Sequence, residues 1–144
     1  MPLDGTNFGD GTNFGRENPL VRNLDATRSY IDSEEKWCKR SYRTADGRRC
    51  ILGALQCTNA TLALAPYLLA AVNEITGRVY TVDAGGASLA NFNDHPLTTH
   101  AQVMQVFDRA RLNILAGKEP ETPYAYPIWL RAFGLLQDLL QVCA

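Results

Sequence analysis

Cys50 and His100 are the two residues of this 144-residue chain whose types and order could support nucleophilic catalysis. A cysteine at the start of a helix has its thiolate favoured by the helix dipole, here with Arg48 and Arg49 just before it, and a histidine within hydrogen-bond reach can take its proton. Asn93 or Asp94 would then orient the imidazole, and the set would make a thiol-dependent hydrolase or transferase. Cysteine followed by histidine about 50 residues later is the order of several papain-like hydrolases, but those enzymes usually carry the histidine on a strand. His100 falls in the first turn of a predicted helix, and no nucleophile signature surrounds Cys50. The competing reading is structural: Cys50 packs as a small buried hydrophobe, His100 serves the helix start, and Asn93-Asp94-His95-Pro96 forms a turn through its own side chains. The sequence leans toward that reading and away from an enzyme.

A second chemistry is suggested by the run from Lys36 to Arg49. It holds Lys36, Lys39, Arg40, Arg43, Arg48 and Arg49, six of the fourteen basic residues, against one acid, Asp46. Lys39, Arg40, Arg43, Arg48 and Arg49 are candidates for holding phosphates, with Trp37 and Tyr42 available to stack on a base. Asp32, Glu34 and Glu35 just ahead could neutralise the run, so weak or no nucleic-acid binding is expected. With a formal net charge of -1, the chain as a whole exerts no pull on polyanions.

The four cysteines, Cys38, Cys50, Cys57 and Cys143, include no C-x-x-C pair and are accompanied by only two histidines, so no metal site is expected. No sequence feature implies a cofactor. Cys50 and Cys57 on one helix would be about 10 Å apart along its axis, too far for a disulfide. The thiols are therefore expected to be reduced and the protein cytoplasmic. No apolar run approaches the roughly 18 residues of a membrane span, and residues 1–15 have neither the basic nor the apolar region of a signal peptide.

The elements that must position these residues follow from the hydrophobic pattern. Residues 1–18 form an arm rich in glycine and asparagine, with the tandem repeat Asp4–Gly9 and Asp10–Gly15, read as flexible. Residues 19–144 read as one domain. Leu24, Ile31 and Cys38 recur at helical spacing, predicting an amphipathic helix from about 20 to 38, with Pro19 in its first turn. Ala45-Asp46-Gly47 predicts a loop or small hairpin over 40–49. An apolar segment from Cys50 to Cys57 is broken by Thr58–Thr61, and a helix follows from about 63 to 76, with Pro66 in its first turn and Gly77 as its stop. Residues 78–97 read as a connection with a short β-branched run at 79–82. Thr98 or Thr99 caps a helix ending at Gly117, with Gln102 completing a capping box. The last helix, 128–142, is apolar on most of its circumference.

The fold expected is mainly α, a compact bundle of four to five helices. Trp129, Phe133, Leu136 and Leu140 form one stripe of the last helix, and Leu135 and Leu139 widen it, more than one small core easily covers. The leading functional expectation is accordingly a protein-interaction or regulatory module that self-associates or docks a protein partner through this helix. The small-molecule ligand, if any, is not legible.

Trp37-Cys38, the Cys50-Ile-Leu-Gly-Ala-Leu55 segment, Phe92-Asn93-Asp94, and Thr99-His100-Ala-Gln-Val103 leading to Phe107-Asp108-Arg109-Ala110 occur in an order that resembles a family of small bacterial and phage-associated domains of unknown function. Phe92 stands where that family usually has tryptophan. The similarity spans about residues 20–116 and leaves out the arm and the apolar C-terminal helix. The resemblance implies a compact helical fold and supplies no reaction, but it marks Cys50, Asn93, Asp94 and His100 as residues that could meet in space.

Overall fold

The computed structural model describes residues 18–80 and 87–120. Five α-helices lie within them: α1 Pro19–Ser29, α2 Ile51–Cys57, α3 Thr61–Thr76, α4 Ala87–Asp94 and α5 His100–Leu115, with a single 3-10 turn at Glu34–Lys36. Among the described residues extended pairing is limited to isolated bridges, so the fold is mainly α as its periodicity predicts. The Gly/Asn-rich arm through residue 17 and the apolar helix expected at 128–142 lie outside the described residues.

Helix α1 begins where Asn18 accepts from the backbone N–H groups of Leu20 and Val21 at 3.0 and 3.4 Å, with Pro19 in the first position. It stops at Ser29 rather than at 38. The N–H groups of Tyr30 and Ile31 bond to carbonyls three residues back, which tightens the chain out of the α spiral. The apolar repeat continues because Ile31 and Trp37 both turn back into the core from the irregular segment that follows. Periodicity reports burial, and here burial outlasts the helix.

Asn59, in the left-handed conformation, separates α2 from α3. Helix α3 starts two residues earlier than expected, which moves Pro66 from the first turn to the second. There the ring removes the N–H that would have bonded the Leu62 carbonyl. Gly77 ends the helix at φ 68°, as its position predicts. The structure also corrects residues 78–97, which contain α4. Leu89 and Phe92, 0% exposed, are its only fully buried large apolar side chains, and eight residues are too few to show a helical period. Ahead of it, Val79 and Tyr80 form no strand; the Asn73 amide pairs instead with the Tyr80 backbone, accepting from its N–H at 2.8 Å and donating to its carbonyl at 3.0 Å.

Helix α5 opens with the capping box of Thr99 and Gln102 and closes at Gly117, φ 69°. It packs most extensively on α3 and then on α1. Leu64, Leu68, Leu69 and Val72 of α3, Val103, Val106, Phe107 and Ala110 of α5, and Val21 and Leu24 of α1 form the continuous apolar core. Helices α2 and α4 cover one end of this core and support the loop between Trp37 and Cys50.

Candidate functional site

That loop is closed on itself by backbone bonds. The Cys38 N–H donates to the Arg49 carbonyl at 3.0 Å, the Arg49 N–H to the Lys36 carbonyl at 2.8 Å, and the Thr44 N–H to the Arg48 carbonyl at 2.8 Å. Bridges pair Arg49 with both Trp37 and Arg43, so of the loop or small hairpin expected here the structure has the loop, an irregular one whose two limbs share one residue. Its middle rests on α2: a Cβ on Gly53 would sit 2.0 Å from the Tyr42 carbonyl oxygen. Only glycine permits this approach.

Asn93, at the end of α4 and 0% exposed, ties the base of the loop to two helices. Its Oδ1 accepts from the Trp37 indole N–H at 2.8 Å and from the Ile51 backbone N–H at 3.2 Å, the latter one of the unpaired donors at the start of α2. Its Nδ2 donates to the Cys38 carbonyl at 3.1 Å and to Asp94 Oδ1 at 2.9 Å. Asp94 in turn accepts from the Arg40 N–H at 2.7 Å. Both ends of the Asn93 amide are thus occupied, and none of its bonds goes to His100.

Cys50 caps α2 with sulfur, its Sγ accepting from the Gly53 N–H at 3.4 Å. The thiol is 5% exposed, and burial pushes its pKa up despite the helix N–H groups that pull it down. Nucleophilic use requires the reverse direction. Nε2 of His100 lies 2.8 Å from the Ile31 carbonyl, and its ring meets the Trp37 ring at a centroid distance of 5.8 Å. Among the described residues, no hydrogen bond joins Cys50 to His100. Cys38 donates to the Ser41 carbonyl, and burial, with nearby Cys50 adding to it, pushes its pKa up to about 11. Cys38 and Cys50 are free thiols, whereas Cys57 is disulfide-bonded, which corrects the expectation of four reduced cysteines. No group of three or more potential metal ligands occurs among the described residues.

The family model for the family of unknown function DUF6197 matches residues 16–112. The chain belongs to this family. No curated protein and no solved structure matches it. In this DUF6197 member the motif residues have mechanical places. Cys50 and Gly53 start α2 and let the loop approach it, Ala54 and Leu55 are core, and Asn93 and Asp94 hold the loop. Thr99 caps α5, Val103, Phe107 and Ala110 are core, and Asp108 pairs with Arg28 at 3.6 Å.

The basic residues of the loop divide into two groups. Lys36 pairs with Asp32 at 2.8 Å, and Arg48 with Asp46 at 3.2 Å. Lys39 donates to the His95 carbonyl at 2.7 Å and stands over the Trp37 ring, while Arg49 lies over Tyr30 and donates to the Gly47 carbonyl. The side chains of Arg40 and Arg43 are exposed and make no hydrogen bond or ion pair among the described residues. Glu34 and Glu35 do not reach them. Trp37 is only 9% exposed and its N–H is engaged, so it offers no face for stacking; Tyr42, 56% exposed, does. The partner-binding stripe expected at Trp129, Phe133, Leu136 and Leu140 lies outside the described residues.

Proposed function

We propose that this protein is a non-catalytic interaction module whose helical domain is a scaffold, and whose apolar C-terminal stretch, Ile128 to Val142, supplies the contact with a second copy or another protein. One observation carries the reading: the family match stops at residue 112, so this apolar stretch is an addition to the part of the chain that the family shares. The motif residues support it from the other side, since Cys50, Asn93, Asp94 and His100 are each engaged in capping, bracing or packing. Burial of a long apolar face against a partner is the main source of association energy in such modules.

Light scattering on the full chain tests this. The expected result is a particle larger than one chain, reduced to a monomer of unchanged helical content by the double substitution Leu136→Glu and Leu140→Glu. A wild-type chain that remains monomeric at about 100 μM and binds no protein partner contradicts the reading.

A further inference from the structure

The loop presents Arg40, Tyr42 and Arg43 on a backbone fixed at three points, and none of the three side chains is used within the described fold. The Arg40 N–H is held by Asp94, the Tyr42 carbonyl lies against Gly53, and Thr44 is held by Arg48 through both its N–H and its hydroxyl. Four of the six basic residues in the run are spent on Asp32, Asp46, the His95 carbonyl and the Tyr30 ring; Arg40 and Arg43 keep their charge unpaired. Arg40 adopts φ 64°, a left-handed conformation that favours glycine or asparagine and that the other such non-glycine residue, Asn59, fills with the expected type. A long cationic side chain stands where the backbone prefers a small one.

We propose that Arg40, Tyr42 and Arg43 form a binding site for a nucleotide unit, the base stacking on the Tyr42 ring and phosphate held by the two guanidinium groups. An exposed aromatic ring flanked in sequence by two unpaired arginines suits a base with its phosphate: every base has a π-face for the ring, and arginine matches phosphate oxygens in pairs. A purely carboxylate ligand would engage the arginines and leave the exposed ring uncovered. The same chemistry is carried by a single-stranded nucleic acid and by a free nucleotide. This site uses none of the residues of the C-terminal stretch, and either proposal can fail without the other.

The test is fluorescence anisotropy of a labelled twelve-residue thymidylate strand against the full chain, with thymidine monophosphate and polyglutamate as competitors. At 50 mM salt, binding is expected that weakens about sevenfold by 200 mM, the slope of two phosphate contacts on a single strand. Tyr42→Ala should weaken it roughly tenfold. Arg43→Ala and Arg40→Asn, the latter compatible with the left-handed backbone, should each weaken it and flatten the salt dependence, with circular dichroism unchanged. Competition by the monophosphate at concentrations comparable to the strand identifies a free nucleotide as the ligand, and competition only by strands identifies a nucleic acid; both support the site. Absence of binding at 50 mM salt, binding indifferent to all three substitutions, or displacement by polyglutamate as effective as by unlabelled strand overturns it.

Discussion

The two ends of the bundle are held by different physics. Between α3 and α5, the contact is apolar and continuous, from Leu64 and Leu68 to Val106 and Phe107, and its cohesion is spread over many small contacts. Beneath the loop it is polar and concentrated, because one amide, Asn93, serves Trp37, Cys38 and Ile51 at once. An apolar interface tolerates replacement by side chains of similar volume, whereas a buried network strands its remaining donors and acceptors when one member is removed. Cys50, Gly53, Asn93 and Asp94 lie at the polar end, whereas the motif from Thr99 to Ala110 runs along α5 and places Val103, Phe107 and Ala110 in the apolar contact.

The largest expected effect is at Asn93. Asn93→Ala leaves the Trp37 indole N–H, the Ile51 N–H and the Cys38 carbonyl without their buried partner and should cost on the order of 4 kcal/mol in a denaturant titration. Leu68→Met, a volume-conserving change at the equally buried apolar end, should cost less than about 1.5 kcal/mol. Equal losses in the two variants would abolish the distinction between the ends.

Gly53→Ala comes next. Its Cβ would meet the Tyr42 carbonyl at 2.0 Å, so the loop or α2 must move, at a cost of about 1–3 kcal/mol. An unchanged midpoint in urea would mean that the loop is not seated on α2.

The pH dependence sharpens the picture at the same end. Cys38 is raised from the ordinary thiol value of 9.0 to about 11, chiefly by burial, so the folded state favours the neutral thiol. Its contribution is complete below pH 9 and should be lost as the pH rises from about 9 to 11. A wild-type stability curve that falls across that window, and falls less in Cys38→Ala, is the expected outcome. Iodoacetamide labelling of Cys50 should likewise be slow at neutral pH and unaffected by His100→Ala; rapid labelling that this variant abolishes would restore a catalytic pair.

The smallest effect expected is a gain. Arg40→Gly relieves a left-handed arginine and should stabilise the fold by up to about 1 kcal/mol. A loss of stability would place the Arg40 side chain in the architecture rather than at a binding surface.

Much of this was legible in the sequence where a rule is local. Pro19, Gly77, Gly117 and the Thr99–Gln102 box mark their termini because caps and stops are written in neighbouring residues. Helix α4 was hidden because its two anchoring side chains, Leu89 and Phe92, are too few to make a period. Trp37 read as an exposed stacking residue because nothing nearby says that Asn93, 56 positions away, receives its N–H. Asn93 and Asp94 drew notice by type, yet their roles rest on pairings with residues more than 40 positions distant that no local pattern encodes.

The most direct test of the account follows hydrogen exchange of the Trp37 indole N–H and the Ile51 amide by NMR in the wild-type chain. Both donate to the buried Asn93 oxygen. If that residue is the fastening of the loop, both protons should exchange only through unfolding on the scale of the whole domain, as slowly as amides in the middle of α5. Exchange of either proton orders of magnitude faster than the α5 amides would contradict it.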